Sequence, residues 1–126
     1  MSHVQVMRWQ EPLTMDTELL AGLFVDMGEA RAADALICAM EQLSDAVNAV
    51  RDDIDAARFV RAAKGLDEVA RIADPLGFVS LAQVAKALRV QLYGRDTVAI
   101  AAISARLVRL RDRTLKLVWD MQDKSG

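Results

Sequence analysis

The sequence predicts an all-α fold, an antiparallel up-down four-helix bundle with a short additional helix at its N-terminal end. Three observations carry this prediction. Apolar residues recur at spacings of three and four along most of the chain, without the alternation that marks a strand. Alanine, leucine and valine are abundant while aromatic residues make up 5% of the chain, a helical composition. The long periodic segments are joined by short connections, which place sequence neighbours antiparallel. A chain of 126 residues, 53% of them hydrophobic and 27% charged, has the size of one domain. The expected organisation is an irregular arm over 1–13, one bundle over 14–122 and a tail over 123–126.

Residues 1–13, with Met7, Arg8, Trp9 and Pro12, show no clean period, and Trp9 is expected to pack this arm down. From Thr14 or Asp16 a short helix runs to about Met27, with Leu19, Leu20, Leu23, Phe24 and Met27 on its inner face. Acidic groups near its start suit the helix dipole, and Gly28 is read as the break after it. The next helix has the clearest pattern. Leu36, Met40, Leu43, Val47, Val50 and Ile54 alternate steps of four and three, the seam of a helix packed along its whole length. Asp52, Asp53 and Asp55 are expected to form a connection and the acid-rich first turn of the following helix.

The central element is a helical hairpin from Phe59 to Leu92. Phe59, Ala63, Leu66, Ala70 and Ala73 share one face of its first helix, and Asp74-Pro75-Leu76-Gly77 ends that helix. Ser80 and Gln83 have capping-box spacing at the start of its second helix, where Leu81, Val84, Leu88 and Leu92 make one stripe. Tyr93 to Thr97 form a turn. A last helix from about Val98 to Met121 carries a main stripe of Ile100, Ile103, Leu107, Leu110, Leu117 and Met121, widened by Val108, Leu115 and Val118. Its outer face is basic, with Arg106, Arg109, Arg113 and Lys116. The structural rival is a coiled-coil dimer, against which the breadth of this last apolar face argues.

The net charge of −2 hides an asymmetry. Residues 1–60 hold four basic and eleven acidic groups, a balance of −7; residues 61–126 hold twelve and seven, a balance of +5. The simplest reading is charge spread over solvated helix faces, and the acidic overall balance makes nucleic acid an unfavoured partner. Cys38 is the single cysteine and lies in an apolar run, so it is expected to be a small buried hydrophobe rather than a nucleophile. His3 is the single histidine, so His/Cys metal clusters are out of reach; no metal, cofactor or glycine-rich phosphate loop is expected. With no signal pattern and no apolar run near eighteen residues, a soluble cytoplasmic protein is expected, away from membranes.

The short first helix, the long helix ending in an acidic turn, Gly77-Phe78-Val79-Ser80-Leu81 with Ala85 and Leu88 beyond, and Gly94-Arg95-Asp96 before the last helix form a layout. Over roughly residues 17–120 it resembles the histidine-containing phosphotransfer (HPt) domain of two-component relays. The family's signature is a histidine, then lysine and glycine three and four residues on, and a further glycine ten after the histidine. Two registers fit, and neither supplies the histidine. Anchoring on Lys64-Gly65 places Arg61 at the histidine and Arg71 at the last glycine. Anchoring on Gly77 gives an ungapped match to the following helix and places Asp67 at the histidine, with Ala70 and Arg71 at lysine and glycine. The second register is preferred, because the turn and the helix after it fix the geometry. Relay needs a neutral imidazole nucleophile, a role closed to permanently charged arginine and poorly filled by aspartate.

The resemblance therefore implies a non-catalytic, HPt-like signalling module that binds a receiver domain or sensor histidine kinase, not an enzyme. The candidate protein-interaction residues are Arg61, Lys64, Asp67, Glu68 and Arg71, on the helix face opposite Phe59, Ala63, Leu66, Ala70 and Ala73. Taken singly they read as a solvated face with i,i+4 pairs Lys64–Glu68 and Asp67–Arg71, worth about 0.2–0.5 kcal/mol each. Two other readings compete. Leu81 to Leu88 resembles the first helix of a helix-turn-helix, which would make the chain a small DNA-binding regulator, although Leu92 to Asp96 matches the required turn poorly. Surplus apolar helix surface would suit a structural or assembly subunit that forms a homodimer.

Overall fold

The computed structural model describes residues 12–125, with side chains as far as residue 121. His3 and Trp9 lie outside the described residues. The regular structure of the described residues is all helical: α1 is Thr17–Met27, α2 Glu29–Asp55, α3 Phe59–Ala73, α4 Val79–Gly94 and α5 Thr97–Ser125, with a single 3-10 turn at Asp74–Leu76 between α3 and α4. No strand occurs among these residues. Helix α2 packs on α1, α3 and α5, while α4 packs on α3 and α5. The side chains between them form one apolar core. No described helix is long and apolar enough to cross a membrane.

Helix α1 starts one residue after Asp16, whose Oδ1 accepts the Leu19 amide at 3.1 Å and satisfies a donor that the first turn leaves free. Leu20 is buried and Leu23 and Phe24 pack on the core, but Leu19 and Met27, expected inside, are exposed. Gly28 separates α1 from α2. The expected seam of α2 is buried from Leu36 to Val50, with Ile54 half-buried where the helix runs out. Cys38 is exposed, a correction to its expected burial. It lies two residues past Leu36, which turns it about 200° from the seam.

The aspartates after this seam also fall elsewhere than expected. Asp52, Asp53 and Asp55 form the last turn of α2, not the first turn of α3. Acids at a helix C-terminus meet its unfavourable dipole end. Asp53 is compensated locally: its Oδ1 accepts from Arg58 Nε at 2.9 Å, and its backbone oxygen accepts the Arg58 amide at 2.7 Å. The turn to α3 is then closed by Ala57 and Arg58.

Helix α3 buries Ala62, Leu66, Val69, Ala70, Ile72 and Ala73, so its seam is turned slightly from the expected one; Phe59 and Ala63 sit at its edge. Gly77 closes the corner at φ 75°, in the left-handed region that glycine enters freely. A second demand falls on the same residue, because a Cβ there would lie 2.6 Å from the Asp16 carbonyl oxygen. The close approach is bonded: the Asp16 amide donates to the Gly77 oxygen at 2.7 Å.

Ser80 does not cap α4. The cap position is Phe78, without a side-chain bond, and Ser80 lies inside the first turn, buried. Its Oγ accepts the Thr14 amide at 2.6 Å and donates to the Pro12 oxygen at 3.4 Å, while its own amide donates to the Thr14 oxygen at 3.2 Å. The end of the expected arm is thus an ordered strap over the α3–α4 corner. Leu81, Val84, Leu88 and Leu92 are buried as expected.

The core stripe of α5 runs through Ile100, Leu107, Leu110, Thr114 and Val118. Leu117 is 37% exposed and Met121 is 40% exposed, against expectation. Thr114 is absent from the expected stripe yet fully buried; its hydroxyl donates to the Leu110 carbonyl one turn back at 2.7 Å and so needs no other partner. Arg111 is the other buried polar residue on α5, 7% exposed. It reaches α2, where its Nη1 donates to Asn48 Oδ1 at 2.7 Å and to the Ser44 oxygen at 3.3 Å.

Candidate functional site

The outer face of α3 takes its shape from the seam behind it. With Ala62, Leu66, Val69 and Ala73 turned into the core, Arg61, Lys64, Asp67 and Arg71 are exposed and Glu68 is half-exposed. All five candidate residues therefore share one surface, at helical spacings of three and four. They are not paired as expected. Glu68 binds Arg71 at i,i+3, with Arg71 Nε donating to Glu68 Oε2 at 2.8 Å. Asp67 pairs across to α4, its Oδ1 lying 2.6 Å from Arg89 Nε. Arg61 lies 4.0 Å from Asp53, the loosest of these contacts. The i,i+4 pairs Lys64–Glu68 and Asp67–Arg71 do not form, because each acid has a nearer guanidinium, which can bind a carboxylate through two nitrogens.

These contacts bias the charges in a consistent direction. The Arg71 hydrogen bond lowers the Glu68 carboxyl from its ordinary value, against an opposing effect of desolvation, and the Glu68 carboxylate raises Arg71. Arg89 is raised by its bond to the Tyr93 hydroxyl, 3.2 Å from Nη1, and then by Asp67. Arg89 Nε is enclosed and makes no aligned hydrogen bond despite its closeness to Asp67, so that contact is an ion pair held by charge.

Helix α4 thus contributes residues that the reading of α3 alone missed. Lys86, Arg89 and Tyr93 stand at steps of three and four beside the stripe of Leu81, Val84, Leu88 and Leu92. Their periodicity was the available signal; their nearness to α3 was not. Lys86 Nζ lies 3.2 Å from Asp74 Oδ2 at the corner. At the other end of this face Val60 is 74% exposed and Tyr93 75% exposed. Between them a shallow cleft of about 310 Å³ is edged by Lys64, Arg89 and Arg95.

The two registers of the resemblance make different structural demands. Gly65 turns inward, and a Cβ there would lie 2.7 Å from Val50 Cγ2 on α2. Its glycine is explained by helix packing and opens no space on the outer face. In the other register, Asp67 is exposed at the histidine position, Ala70 is buried at the lysine position, and Arg71 fills the surface where the family has glycine. The described face carries carboxylates, guanidiniums and amines but no imidazole, and the described residues hold no His, Cys, Asp or Glu group suited to a metal ion. Compared with known proteins, the chain matches no family model, no curated protein and no solved structure.

Proposed function

We propose that the chain is a non-catalytic, HPt-like signalling module, an antiparallel up-down four-helix bundle of α2 to α5 capped by α1, which binds a receiver domain or sensor kinase in the cytoplasm. The reading rests on one observation above the others. Asp67, ten residues before the left-handed Gly77, stands on an exposed helix face in a frame of cations from two helices. That is the surface position at which the resembling family presents its histidine. Here a carboxylate held by Arg89 takes the place of a nucleophilic imidazole, which suits docking and not transfer. The contacts of α2 with α3 and α5, and of α4 with the same two helices, support the bundle. Arg61, Lys64, Arg71, Lys86 and Arg89 outnumber Asp67, Glu68 and Asp74 on the face, and such a surface complements an acidic partner.

The test is affinity capture from lysate of the source organism, comparing the wild type with a variant reversed in charge at Arg61, Lys64, Glu68 and Arg71. Recovery of a receiver-domain protein or sensor kinase by the wild type alone supports the reading. Equal capture by both proteins, or unrelated partners only, overturns it. Incubation with a phosphorylated receiver domain tests the chemistry separately: phosphoryl label on the wild-type chain would refute the non-catalytic role.

A further inference from the structure

We infer that the open side of the α2–α5 seam is the surface through which two copies of this chain associate. From Thr97 to Ala105, α5 carries no charged residue on any side, a pattern suited to a helix that is covered all round. Within one copy it is not covered. Ile100 is buried, but Val98 is 78% exposed and Ala101, Ala102 and Ala105 face solvent. Beside them an open groove of about 540 Å³ runs between α5 and the end of α2, with Ile54, Ile100 and Val108 in its lining. The small alanines leave room for a second helix to come close, since interaxial distance follows the side chains at the contact.

Charge decides what occupies the groove. Two contacts orient it: Arg111 binds Asn48 at one end, and Arg95 lies over the Phe59 ring, 5.5 Å from its centroid, at the other. Asp55, four residues before Phe59, therefore belongs to the end near Thr97 and Arg109 to the end near Arg111, with Arg51 one turn of α2 from Asp55 and between them. All three line the groove, and none forms an ion pair within the described residues. A groove acidic at one end and basic at the other is matched by itself turned around. A two-fold axis through the alanines sets Asp55 of each copy against Arg109 of the other, so the same patch serves both sides, as an isologous interface requires. A uniformly acidic partner would repel Asp55, and a uniformly basic one would repel Arg51 and Arg109. This surface shares no charged residue with the α3–α4 face, so it stands whether or not that face binds a receiver domain.

Sedimentation equilibrium of the full chain over a wide concentration range tests the interface, with circular-dichroism melts to verify folding. The wild type is expected to pass from monomer to dimer as concentration rises, and Ala101→Glu to stay monomeric with an unchanged melt. Asp55→Arg and Arg109→Asp should each weaken association at least about tenfold, and the double reversal should restore it to within about threefold of wild type. The swap distinguishes a lost contact from a damaged fold, because two damaging changes do not repair one another. A wild type that stays monomeric throughout, or a double reversal no tighter than the single ones, overturns the inference.

Discussion

Replacing Gly65 by alanine tests the packing of α3 on α2 and, with it, the structural role given to this glycine. In an ordinary helix interior the change stabilises by about 0.8–1 kcal/mol, because alanine orders at lower entropic cost. Here the added Cβ would fall 2.7 Å from Val50 Cγ2. Val50 is fully buried, and its branched side chain has little rotamer freedom in a helix, so the contact is relieved only by shifting α2 or α3. Overpacking of this kind costs about 1–3 kcal/mol. The two effects leave a net loss of about 1 kcal/mol for Gly65→Ala, or a few degrees in Tm for a chain of this size. Val50→Ala alone removes two buried carbon atoms and should cost about 2 kcal/mol. In that background the Gly65→Ala methyl has space, the clash is gone, and the substitution should stabilise by about 1 kcal/mol. Urea titrations of the four proteins, followed at 222 nm, measure the cycle, with a coupling of about 2 kcal/mol expected. A Gly65→Ala protein more stable than wild type, or a coupling below about 0.5 kcal/mol, would refute the close approach and return Lys64-Gly65 to consideration as a surface motif.

Three further outcomes are expected. Ser80→Ala removes the acceptor of the Thr14 amide and the donor to the Pro12 oxygen, and should cost about 1 kcal/mol while amide exchange rises at residues 13–16. Arg111→Ala breaks the bonds to Asn48 and the Ser44 oxygen between α5 and α2, and should cost about 1.5–3 kcal/mol in denaturant titrations. The third concerns pH. The folded-state pKa of Glu68 is depressed by Arg71, so its pairing adds stability above the ordinary carboxylate range and loses it as pH falls through the depressed value. The difference in Tm between wild type and Glu68→Gln should follow that course, small because the pair is exposed, and should shrink with salt.

The correspondence between sequence and structure is uneven for reasons visible at single residues. Leu36 to Val50 and Leu81 to Leu92 were legible because each turn offers one large apolar residue and the stripe admits one rotation of the helix. On α5 the rule failed at Thr114, where a hydroxyl bonded within its own helix occupies a core position, so the stripe was drawn through Leu117 and Met121. Ser80 carried a capping signature that the strap from Pro12 to Asp16 overrode by offering it partners 66 and 68 positions away.

For the candidate face, local spacing sufficed to place Arg61, Lys64, Asp67, Glu68 and Arg71 together on one surface, since exposure along one helix follows from 3.6 residues per turn. It could not assign their partners. Asp67 forms an ion pair with Arg89 and Arg61 lies near Asp53 because neighbouring helices bring those groups within reach, and an i,i+4 rule sees one helix at a time. Gly65 shows the same division: its helix was evident, but the need for glycine lies in Val50 on α2. The sequence by itself determined the helical elements and most of their inward stripes, because periodicity is a property of one segment. Tertiary structure alone decided the ion pairs, the strap and the open α2–α5 groove, because each depends on distances between segments that no single-helix pattern encodes.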